Sequence, residues 1–134
     1  MRTLRCLAAA VAALCLASAR PAEADAVWSV AGRQVLRMRA AVGGMTPERR
    51  VEELDTRLNN VLSRLDSPLK PSDIVVGRRA GSVVVLARGD LLVTVTPQDA
   101  DANGTTPGKL ARAWLTNMRK TLPQLSPRVN PQGA

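Results

Sequence analysis

The sequence predicts an α+β fold: an antiparallel sheet of about five strands with two helices packed on one face, in the order ββ-α-βββ-α. Three observations carry this. Short β-branched runs are separated by Gly-containing turns. Two longer segments repeat apolar residues at helical spacing. Each of those segments is opened by a Thr-Pro pair.

The chain has 134 residues, which allows a single domain. Before that domain, Met1–Arg5 carries two arginines, and Cys6–Ala19 is an apolar stretch rich in Ala and Leu. The stretch is too short to cross about 30 Å of hydrocarbon and has the length of a signal-peptide core. Small residues then stand at the spacing a signal peptidase reads, with cleavage expected after Ala19, Ala24 or Ala26. The expected organisation is a signal peptide over 1–26, one domain over 27–122, and a disordered Pro-rich tail over 123–134. Export places the product in the periplasm or outside the cell. No later apolar run is long enough to span a membrane, so no membrane span is expected after leader removal.

Both cysteines, Cys6 and Cys15, lie in the leader, so the mature chain can form no disulfide. A cut after Ala26 removes three arginines and two carboxylates. Of the 19 basic and 11 acidic residues, 16 and 9 remain, a net charge of +7. About 108 residues suffice for a core without staples, since a domain of that size buries roughly 65% of its extended-chain surface.

The domain begins with a hairpin. Val27–Val30 is β-prone, Ala31-Gly32-Arg33 turns, and Val35–Arg39 alternates with Leu36 and Met38 inward and Arg37 and Arg39 outward. Thr46-Pro47 then starts a helix, with Thr as N-cap and Pro where a missing N–H costs nothing. Its apolar residues Val51, Leu54, Leu58, Val61, Leu62 and Leu65 fall within an arc of about 100°, with every polar residue from Arg49 to Arg64 outside it. Glu53 and Arg57 form an i,i+4 pair. Pro68 and Pro71 break the helix.

A three-stranded meander follows over Asp73–Thr96. Ala80-Gly81 and Arg88-Gly89-Asp90 turn it, and the unbroken run Val83–Leu86 reads as its central strand, buried on both faces. Gln98–Thr105 reads as a loop. Thr106-Pro107 opens the second helix, running to about Leu122. Leu110, Ala111, Trp114, Leu115, Met118 and Leu122 fill one side, and Lys109, Arg112, Arg119 and Lys120 the other. Trp28 and Trp114, the sole aromatics, read as core anchors.

Composition also limits the chemistry. With no His and no Tyr, and with both cysteines in the leader, the mature chain lacks the usual general bases and nucleophiles. An enzyme is not expected and no cofactor is implied. Asp99-x-Asp101-x-Asn103-Gly104 matches the first six positions of an EF-hand calcium loop, but the bidentate Glu position is Leu110. Asp99, Asp101 and Asn103 are therefore a metal candidate lacking the closing Glu; a calcium-dependent module or a small hydrolase using Asp99 and Asp101 is the alternative reading. Arg88-Gly89-Asp90 is explained as a turn without an adhesion receptor.

The leading functional signal is positive charge. Arg37 and Arg39 on the hairpin, Arg78 and Arg79 on the meander, and Lys109, Arg112, Arg119 and Lys120 on the second helix are the candidate interaction residues. Nucleic acid is not the expected partner, because export removes the chain from it and stacking aromatics are scarce. An envelope protein or an anionic envelope polymer is.

The run Val30-Ala31-Gly32-Arg33 to Met38, then Thr46–Arg50 with Arg57-Leu58-Asn59, resembles a small extracytoplasmic domain that precedes the membrane spans of some bacterial small-conductance mechanosensitive channels. Leu92–Ala100 followed by Leu110–Trp114 resembles its second half. The resemblance spans about Val27 to Leu122, although this chain carries no channel spans or pore. It implies a stand-alone periplasmic accessory or sensor-like module and brings no catalytic residue.

Overall fold

The computed structural model describes residues 25–125 and Pro127. The expected leader, apart from its last two residues, lies outside the described residues, as does most of the tail. The fold is α+β. Its strands are β1 (Ala26–Val30), β2 (Arg33–Met38), β3 (Ile74–Arg79), β4 (Ser82–Ala87) and β5 (Asp90–Val95). Its helices are α1 (Pro47–Ser63), α2 (Pro97–Ala102) and α3 (Pro107–Thr121).

The five strands divide into two antiparallel sheets, β1-β2 and β3-β4-β5, rather than one. Both α1 and α3 touch strands of both sheets, so one apolar cluster joins the two. Trp28 and Trp114 lie in it at 1% and 5% exposure.

All three hairpins use the same local device. Ala31, Ala80 and Arg88 have φ of 50°, 49° and 47°, and each is followed by a glycine at positive φ. Two left-handed residues in succession make a turn whose twist matches that of the flanking strands. The first position carries a side chain in each case, which costs energy that Asn loses least. Ala80→Asn is therefore expected to stabilise the domain by about 0.5 kcal/mol. Chemical denaturation checks this, and an unchanged or lower midpoint would count against a strained turn.

Two bulges adjust the strand alternation. Trp28 pairs with Leu36 but Ser29 pairs with Gln34, so Val35 is an extra residue and is buried alongside Leu36. In the same way Val85 pairs with Val93 and Leu86 with Leu91, and the extra Leu92 is fully buried beside Val93. β4 is the central strand as expected. Val84 and Val85 are buried on its opposite faces, while Val83 and Leu86 are half-buried.

Carbonyls at the strand edges are covered by side chains from the helices. Arg57 donates to Leu92 O at 3.3 Å, Asn117 to Val35 O at 2.9 Å, and Arg119 to Ile74 O at 3.0 Å. Bonds of this kind blunt edges that would otherwise pair with another chain.

Two boundaries differ from expectation. The stretch expected to be a loop at Gln98–Thr105 contains α2. Thr96-Pro97 is a third Thr-Pro helix start, concealed because Thr96 directly follows a strand. Past α3, Leu122–Gln124 forms a 3-10 turn and Leu125 packs on the core, so the domain continues beyond Leu122.

Candidate functional site

The Asp99 segment does not form the calcium loop that its spacing allowed. Asp99 is the third residue of α2 and completes a capping box: it receives the Thr96 N–H at 3.0 Å, and its own N–H donates to Thr96 Oγ1 at 3.1 Å. Both carboxylate oxygens also face Arg50, at 2.6 and 2.8 Å. The guanidinium therefore stands where a cation would have to sit. Asp101 is exposed two positions along the helix, and the Asn103 amide donates to Asp99 O at 2.8 Å. Asp99, Asp101 and Asn103 do not converge, and among the described residues no cluster of three metal-ligating side chains occurs. The paired carboxylates needed for the hydrolase alternative are likewise not brought together.

Arg50 is the main correction to the reading of α1. The helical period puts it outside the apolar arc, yet it is only 8% exposed and also donates to Ala40 O at 2.9 Å. At 100° per residue it sits about 20° beyond Val61, the edge of the apolar arc. That proximity was legible; its carboxylate partner, 49 residues away, was not. Burial works against the Asp99 charge, but the Arg50 guanidinium and the Thr96 N–H outweigh it and hold the carboxyl below its ordinary value.

The nominated cations separate into two groups. Arg37 and Arg39 lie 3.6 and 3.1 Å from Asp25. Arg79 donates to Gly89 O at 2.5 Å, and Arg119 is spent on Ile74 O. Each of these four has a partner within the fold, a shared carboxylate for Arg37 and Arg39 and a backbone carbonyl for Arg79 and Arg119. Even Arg88 and Asp90 of the Arg-Gly-Asp turn are paired, with Asp73 and Arg64 respectively, each at 3.1 Å. Among the described residues, Arg78, Lys109, Arg112 and Lys120 make no ion pair and no side-chain hydrogen bond.

Two of these four share a groove. Arg78 pairs with Val83, on the same sheet face as Ile74 and Val76 and hence toward α3, whereas its neighbour Arg79 falls on the opposite face. On α3, Gly108 and Arg112 are one turn apart along one side. Two adjoining cavities, of about 390 and 290 Å³, share Arg78, Val83 and Gly108 as walls; the smaller also reaches Val76 and Arg112. No carboxylate lines either. A third cavity, of about 190 Å³, holds Arg50, Glu53 and Arg57, of which Arg50 is taken by Asp99 and the other two pair with each other. A fourth, of about 260 Å³, uses Asp55 to receive Trp28 Nε1–H. The groove at Arg78 and Arg112 thus stands apart in presenting uncompensated charge.

Fold and groove define a small α+β domain with an open basic cleft and no assembled catalytic group among the described residues. The chain belongs to the family described as Domain of unknown function (DUF8459), whose model matches residues 26–125. The match begins on the first residue of β1 and ends on Leu125, the residue that closes the core. No curated protein and no solved structure matches the chain.

Proposed function

We propose that this chain is an exported, non-catalytic binding module that engages an anionic polymer or protein of the bacterial envelope. The observation that carries this reading is the groove at Arg78 and Arg112: two cations that line one cavity with no carboxylate in its walls, while Arg37, Arg39, Arg49, Arg50, Arg57, Arg64 and Arg88 each stand within ion-pair distance of a carboxylate. The leader-like N-terminus, the absence of His and Tyr, and the confinement of cysteine to that leader support it. So does the resemblance to the extracytoplasmic domain of mechanosensitive channels, which makes a sensor-like role part of the same proposal. Of the cleavage sites, a cut after Ala24 keeps Ala26, which is buried and paired with Met38, and Asp25, which bridges Arg37 and Arg39.

Electrostatic capture of this kind weakens as salt screens it, with a Debye length of about 10 Å at 0.1 M. The exported chain is expected to be retained on phosphorylated and carboxylated polysaccharide resins at low ionic strength. It should elute earlier when Arg78, Lys109, Arg112 and Lys120 are changed to Gln together. Passage of the unaltered chain through every such resin at low salt, with no envelope protein bound, would overturn the proposal.

A further inference from the structure

We propose that the groove between β3 and the start of α3 is a binding site for a phosphate ester. This rests on the reading above and narrows it to one ligand chemistry and one place. Arg78 from the sheet and Arg112 from the helix line the same cavity from different elements, and each guanidinium offers a fork of N–H donors without an internal partner. A carboxylate has two coplanar oxygens and is satisfied by one fork. A phosphate has further oxygens directed away from the first pair, and two forks on separate walls suit it better. Gly108 lines both cavities, and its N–H is among those a helix leaves unbonded in its first turn.

The rest of the groove supports an ester rather than the bare ion. Cavities of about 390 and 290 Å³ exceed what one phosphate fills. Val76 and Val83 are half-buried there, forming an apolar floor beside the two cations. An organic residue attached to the phosphate covers that floor while the phosphate meets the arginines.

The test is titration of the exported chain, followed by backbone-amide NMR, with glycerol 3-phosphate, inorganic phosphate, poly(glycerol phosphate) and acetate at constant ionic strength. Saturable shifts centred on Arg78, Gly108 and Arg112 are expected with the phosphates, and weaker ones with acetate. Tighter binding per phosphate to the polymer identifies a repeating polymer as the source; equal binding identifies a free ester. Arg78→Gln and Arg112→Gln are each expected to weaken glycerol phosphate about 10-fold, equivalent to about 1.4 kcal/mol. Arg33→Gln, an exposed cation that lines neither cavity, should leave it unchanged. Both arginines are exposed, so unaltered melting of the variants separates lost binding from lost folding.

Shifts that track acetate as closely as phosphate, or that survive Arg78→Gln and Arg112→Gln, overturn the site. If polymer retention persists in those variants while phosphate binding is absent, the phosphate site falls and the broader envelope-binding proposal stands. If the unaltered chain is retained by no polyanion and binds no envelope protein, the broader proposal falls.

Discussion

Asp99→Ala is expected to destabilise the domain by about 3–5 kcal/mol, because it leaves the Arg50 guanidinium buried without its counter-charge. Arg50 is 8% exposed and Asp99 1%, and two bonds of 2.6 and 2.8 Å join them. At about 4 °C or more per kcal/mol for a domain near 100 residues, Tm should fall by at least about 12 °C. Replacing both partners with apolar residues, Arg50→Met with Asp99→Leu, should recover much of the loss, since no charge is then stranded. The α2 cap would still be missing, at about 1 kcal/mol. A double-mutant cycle measured by chemical denaturation checks this. Singles that each cost under 1 kcal/mol, or a double variant equal to their sum, would show that the pair is not coupled.

The same pair sets an acid limit. The Asp99 carboxyl is lowered from 3.8, so its contribution to stability is complete above that unfolded value and is lost as pH falls through the lower folded one. Asp99→Asn should remove this part of the pH dependence. A residual slope should remain from Asp73, whose carboxyl is also lowered, first by the Lys70 N–H and further by Arg88.

Trp28→Ala is the second large effect, expected at about 3–5 kcal/mol from the lost apolar contact and the cavity left behind. Trp28 is 1% exposed, and its Nε1–H donates to Asp55 Oδ1 at 2.7 Å, tying β1 to α1. The two-stranded sheet shares no ladder with the other three strands, so side-chain packing of this kind holds it to the domain. Trp28→Phe keeps most of the volume and loses the hydrogen bond, and should cost about 1–2 kcal/mol. Far-UV circular dichroism during denaturation separates the two variants. A loss below 1 kcal/mol for Trp28→Ala would mean that the hairpin docks by other contacts.

Much of the architecture was legible because it is local. Thr46 and Thr106 cap helices by bonding an N–H three residues ahead, at 3.2 and 3.4 Å, and the Thr-Pro pair announces this without tertiary information. The Ala-Gly and Arg-Gly turns follow from the φ that two adjacent positions must adopt. Helical period alone assigns Leu54, Leu58 and Val61 to the core, and all three are buried. At Asp99 local pattern is ambiguous. Thr96-x-x-Asp99 carries the capping-box signal, but the alternation of Asp99, Asp101 and Asn103 suits the start of a calcium loop as well, and only Leu110 at the Glu position speaks against it.

What the sequence determined by itself is therefore the five strands and two long helices, their caps and turns, most of their buried faces and an excess of positive charge. Those depend on neighbours within about four residues. Tertiary structure decided which charges remain free. It brought Asp99 to Arg50, spent Arg79 and Arg119 on backbone carbonyls, and divided five strands into two sheets. It also set Arg78 beside Arg112, 34 positions later in the chain. The physical reason is that ion pairing and desolvation act through space, and chain order does not record which distant carboxylate or carbonyl each arginine will meet.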